Sequence, residues 1–186
     1  ERILFSTGGR LALHKCFWTT LRYHWVEGQA IIEHYDKTER KREDNEDDTV
    51  KLTQGGDFSQ KFVIKRIGAG TAYRTLGVFI AANGSQKRQK EVLLGKSTTW
   101  SIKVSTSNLT QEEKLTSYRQ QLLPSLRYPF PCTTLTRKEL RSVHYPALRV
   151  AVNALGINST FPRCILYGNA CYQWLDMEDL YMVQGT

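Results

Sequence analysis

Near residue 84 the hydrophobic pattern changes its period from 2 to 3.6, which restricts the chain to a sheet-forming part followed by a helix-forming part. In residues 16–25 the odd positions Phe17, Thr19, Leu21, Tyr23 and Trp25 are mostly large and apolar. Thr20, Arg22 and His24 lie between them, so the segment predicts a strand with one buried face. Glu27-Gly28 predicts a turn and residues 30–35 a returning strand. Residues 62–67 and 73–82 read as two more strands joined at Gly68-Ala69-Gly70. On the second, Leu76, Val78 and Ile80 share a face; Gly77 lies on the other, where a missing side chain admits another backbone. Residues 1–7 read as the end of a helix that Gly8-Gly9 stops.

Beyond the Asn83-Gly84 turn three helices are expected. Leu93, Ser97, Trp100 and Val104 mark the first. Thr110 and Glu113 have capping-box spacing and open the second, whose stripe of Leu115, Tyr118 and Leu122 runs until Pro124 interferes. Thr136 and Glu139 repeat the signature for the third, with Leu140, Val143, Ala147, Ala151, Ala154 and Leu155 on one face. Pro146 should kink that helix or delay its start. These stripes are first of all core packing. Residues 164–167 read as a strand and residues 175–182 as a short helix or strand. The expected organisation is therefore α+β: a small antiparallel sheet in 1–84 with a charged loop at 37–57, a helical basic region in 85–157, and an irregular tail in 158–186.

Charge narrows the partners. Lys plus Arg exceed Asp plus Glu by 8 across 186 residues, and residues 85–149 alone hold twelve basic residues against four acidic ones. Such a local excess suits a polyanion, because each cation on a phosphate releases condensed counterions. No apolar run approaches the roughly 20 residues of a membrane-spanning helix, so no membrane role is expected. The chain starts at Glu1 without a leader pattern, which favours a piece of a longer polypeptide.

Residue types for catalysis are sparse. Cys16, Cys132, Cys164 and Cys171 fit no zinc spacing and are expected to be small buried apolar groups. Asp47-Asp48 lies within a charge run that offers no apolar strand to position a metal, so no metal site is expected. None of the four histidines sits in a nucleophile context, and His144 reads as a packing residue.

The succession of "LFSTGGRLALHKC", a hairpin, "YRTLGVFIAANG", and a helix leading into "YRQQLLPSLRYPFPCTTLTRKEL" resembles the C-terminal portion of a retrotransposon-type reverse transcriptase, over roughly residues 5–181. The resemblance implies the end of a palm subdomain followed by a thumb. It implies that Lys15 is either the lysine of the fourth palm motif, reaching nucleotide phosphates and assisting proton transfer, or a surface lysine at a strand start. Leu76 and Gly77 would belong to the primer grip. Lys87, Arg88, Lys90, Lys96, Arg119, Arg127, Arg137, Lys138 and Arg141 would meet phosphates along the product duplex, positioning it without reading sequence.

The family's catalytic aspartates and their two metal ions precede its fourth motif. Asp47-Asp48 follows Lys15, so this chain alone is expected to be inactive, with no cofactor of its own and Mg2+ implied only for the full-length polymerase. Gln173-Trp174 stands where the family has a paired-glycine turn, as a decayed element copy would. The implied partners are an RNA–DNA or DNA duplex and upstream palm and fingers, at a nuclear or cytoplasmic intracellular location. The alternative is a basic protein-interaction or scaffolding domain that meets an acidic partner.

Overall fold

In the computed structural model the described residues are 16–19, 21, 23–32, 50–53, 61–158, 160–172 and 175–185. The fold is α+β, with small sheets ahead of a helical region. Two compact units divide it: residues 1–73 with 81–85, and residues 74–80 with 86–186.

In the first unit, β1 (Phe17–Trp18) pairs in parallel with β5 (Lys61–Arg66), which pairs antiparallel with β4 (Val50–Thr53). The β1–β5 pairing is the parallel exception to the antiparallel expectation. β4 occupies the end of the charged segment expected to be a loop, and residues 37–49 lie outside the described residues. The long strand expected over 16–25 is instead β1 and a separate β2 (Tyr23–Val26). β2 pairs with β3 (Gln29–Ile32) in an antiparallel hairpin whose register runs from Tyr23 opposite Ile32 to Val26 opposite Gln29. Its turn uses φ of 50° at Glu27 and 80° at Gly28, the two positive values of a tight two-residue hairpin turn. Contrary to the alternation, no face of β2 is buried: Tyr23, Trp25 and Val26 are all exposed, because the hairpin pairs only with itself among the described strands. The helix expected over 1–7 lies outside the described residues.

β6 (Ala72–Thr75) and β7 (Val78–Ala81) form a third small sheet. The single strand expected over 73–82 is thus a hairpin, and its tip, residues 74–80, belongs to the helical unit.

That unit is built from α1 (Lys87–Ser105), α2 (Gln111–Ser117), a π-helical turn (Tyr118–Leu122), α3 (Leu123–Arg127), α4 (Arg137–Ala154), and the short α5 (Arg163–Tyr167) and α6 (Leu180–Gly185). Both capping boxes form. Thr110 and Thr136 accept from the backbone N–H of Glu113 and Glu139, whose carboxylates accept the return bonds. Those bonds hold both carboxyls below the usual carboxylate range. Pro124 does not end the second helix. The Leu123 N–H reaches back five residues to the Tyr118 carbonyl, and this widened turn gives the proline ring room. Pro146 neither delays α4 nor divides it; buried Val143, Ala147, Leu148 and Ala151 hold the helix on either side of it.

The core joins Leu93 of α1, Tyr118, Leu122 and Leu126, and the α4 stripe to Leu166, Met177 and Leu180. The described part of 158–186, with only short helices, supplies three of these core side chains. Residues 163–167 form a helix rather than the strand expected over 164–167: the Pro162 carbonyl accepts from the N–H groups of Ile165 and Leu166, and Leu166 is buried in the core. His144 is buried in this core, with Nε2 2.6 Å from the Tyr118 hydroxyl and the two rings stacked 10° from parallel. Burial pushes its pKa down to about 4 and pushes that of the Tyr118 hydroxyl up.

Candidate nucleic-acid interface

The β6–β7 turn consists of Leu76 and Gly77, with φ of 49° and 89°. A two-residue turn of this kind needs left-handed backbone at both positions, which suits Gly77 and strains Leu76. Leu76 is also 88% exposed, so no packing accounts for an apolar residue there. The alternation from 73 to 82 hid this turn, because a leucine rarely adopts positive φ.

Three contacts fix the hairpin tip to the helices. Buried Gln89 of α1 accepts from the Phe79 N–H at 2.8 Å. The Arg88 guanidinium lies 5.6 Å from the centre of the Phe79 ring. From just beyond α3, the Tyr128 hydroxyl donates to the Leu76 carbonyl at 2.6 Å. A Cβ added to Gly77 would meet Tyr128 Cε1 at 3.4 Å, so the close approach expected at this glycine is made by an aromatic side chain.

One turn before Tyr128, the Ser125 carbonyl accepts from Lys96 Nζ at 3.2 Å. Lys96 borders a groove that α1 lines with Gly95, Thr99, Trp100 and Lys103, and the facing helix with Gln121, Leu122 and Ser125. Lys96 and Lys103 stand two helical turns apart, about 10 Å along the axis. Lys103 was not among the residues singled out from sequence; its seven-residue spacing from Lys96 is the signal that could have marked it.

The structure disperses the other basic residues. Arg88 pairs with Glu91 at 3.1 Å, Lys90 with Glu139 at 3.2 Å, Arg127 with Glu178 at 3.0 Å and Arg137 with Asp179 at 3.7 Å. These four cations are compensated within the molecule, although exposed pairs of this kind hold by only about 0–1 kcal/mol and can yield to another anion. Lys87, Arg119, Lys138 and Arg141 are exposed and make no ion pair among the described residues. Lys138 and Arg141 lie on α4 away from its buried stripe, so the nine basic residues do not form one face. Lys15 and Asp47-Asp48 lie outside the described residues.

Among the described residues no group of three or more His, Cys, Asp or Glu could hold a metal ion, and no helix is long and apolar enough to cross a membrane. The described cysteines form no disulfide, and Cys132, Cys164 and Cys171 are exposed rather than buried as expected. Each sits in a short helix or turn at the edge of the core, which is closed by leucines and aromatics instead.

Comparison with protein-family models, with curated proteins and with solved structures finds no match to the chain.

Proposed function

We propose that this chain is a segment of an RNA-directed DNA polymerase of retrotransposon type, gripping a primer–template duplex through a primer-grip hairpin and a basic thumb. The observation that carries the reading is the convergence of the Leu76-Gly77 tip and the Lys96–Lys103 groove on one helical turn, Ser125 to Tyr128. An exposed, strained leucine at the tip and a line of two lysines along the adjoining groove suit a surface that meets a primer end and phosphates further along the strand. The exposed Tyr23 and Trp25 of the β2–β3 hairpin are further support, as such apolar side chains suit a neighbouring subdomain. Chemistry, with its magnesium and aspartates, belongs in this reading to upstream palm residues.

The test is fluorescence anisotropy of the full chain with a labelled RNA–DNA hybrid across a salt series, with heparin as competitor. Lys96→Gln with Lys103→Gln is expected to reduce the log–log salt slope by about 2 and to weaken hybrid binding. Unchanged hybrid affinity in that variant overturns the reading. Equal binding of hybrid and heparin points instead to a basic domain for an acidic partner, since a lysine face does not distinguish phosphate from carboxylate.

A further inference from the structure

α4 carries a second cationic surface. Lys138, Arg141, Tyr145 and Arg149 follow one another at spacings of three, four and four, which places them within about 80° of arc at 3.6 residues per turn. The buried residues Leu140, Val143, Ala147 and Ala151 take the other side of the helix. All four stripe residues are exposed, and none of their side chains makes a hydrogen bond or ion pair among the described residues.

The flanks of the stripe are closed by charge pairing. On one side Glu139 is taken by Lys90 and by its own capping box. On the other, Asp179 faces Arg137 at 3.7 Å and accepts from the Tyr181 N–H at 3.0 Å, while Glu178 is taken by Arg127. Arg163, at the start of α5, shares a shallow depression with Arg141, Tyr145 and Asp179. Four cations thus surround one tyrosine that is 50% exposed. An acidic protein segment would need only the charges. A polynucleotide single strand also uses the ring, because unpaired bases stack on exposed aromatics between phosphate-binding cations. From Lys138 to Arg149 the stripe is about 16 Å long, enough for a few nucleotides of a single strand.

We propose that the outer face of α4 is a binding track for single-stranded RNA or DNA, with Tyr145 as the stacking platform and Lys138, Arg141, Arg149 and Arg163 as its phosphate contacts. The track uses none of the hairpin tip or the α1 groove, and it does not depend on the polymerase reading.

The experiment is anisotropy of a labelled oligouridine of about 12 nucleotides with the full chain, across a salt series. Replacing Lys138, Arg141 and Arg149 together by Gln is expected to reduce the salt slope by about 2. Tyr145→Leu is expected to weaken binding by about 5- to 100-fold at an unchanged slope, and Tyr145→Phe to bind as the native chain does. Because all these side chains are exposed, thermal melting should be unchanged and serves as the folding control. The Lys96 and Lys103 variant should bind oligouridine normally, so failure of the duplex reading and failure of this one are distinguishable. Native affinity in the triple Gln variant overturns the track. Native affinity in Tyr145→Leu overturns it as well, and leaves a charge surface for an acidic protein.

Discussion

Replacing Leu76 by Asn should make the protein more stable. Leu76 sits at φ 49°, where an L-residue with a carbon side chain costs about 1–2 kcal/mol. Asparagine visits this region far more readily, so most of that cost is removed. Little opposes the gain: the side chain is 88% exposed, and loss of its small buried remainder costs about 0.3 kcal/mol. The Tyr128 bond is made to the backbone carbonyl and survives the change. The net expectation is about 1 kcal/mol of added stability, or a midpoint raised by about 2–4 °C. Thermal unfolding followed by helix circular dichroism reads it, because the tip belongs to the helical unit. Leu76→Ala is the control, since it removes the side chain and keeps the strained φ, and it should show no gain. An Asn variant that melts at or below the native midpoint refutes the strain assignment. Under the proposed function the same variant should bind the RNA–DNA hybrid more weakly, which would explain why a strained leucine occupies an exposed turn.

Acid sensitivity should begin at His144. Its folded pKa of about 4 lies below the ordinary 6.5, so the unfolded chain binds more protons between those values. Stability is therefore complete above 6.5 and falls by about 3 kcal/mol as the pH drops to 4. His144→Phe should flatten that slope in denaturant titrations run at a series of pH values; an unchanged slope would place the sensitivity elsewhere. From pH 4.5 downward the lowered carboxyls of Glu113 and Glu139 add their own loss, because the unfolded chain takes up those protons first. Thr136→Ala removes the α4 capping box and should cost about 1 kcal/mol in the same titrations. No change there would mean that packing alone sets the start of α4.

Local rules determined much of the helical unit. Both capping boxes, the apolar stripes of the two long helices α1 and α4 and the burial of His144 follow from spacings within a few residues, and each forms where those spacings place it. Prolines and short apolar runs were less legible. Pro124 is accommodated by a widened turn, and residues 163–167 form a helical turn that buries Leu166 in the core. Tertiary structure alone decided the candidate interface. Leu76 and Gly77 alternate as a strand would, yet Arg88 and Gln89 hold neighbouring Phe79, and Tyr128 holds the Leu76 carbonyl from far along the chain, so that the pair is attached to the helices as a turn. Charge behaves in the same way. Composition counts every lysine and arginine alike, whereas the fold places Glu91, Glu139, Glu178 and Asp179 against four of them and leaves others open to solvent. The Arg88–Glu91 pair follows from a three-residue spacing on one helix, but whether Lys90, Arg127 and Arg137 meet Glu139, Glu178 and Asp179 depends on long-range packing that no local period encodes.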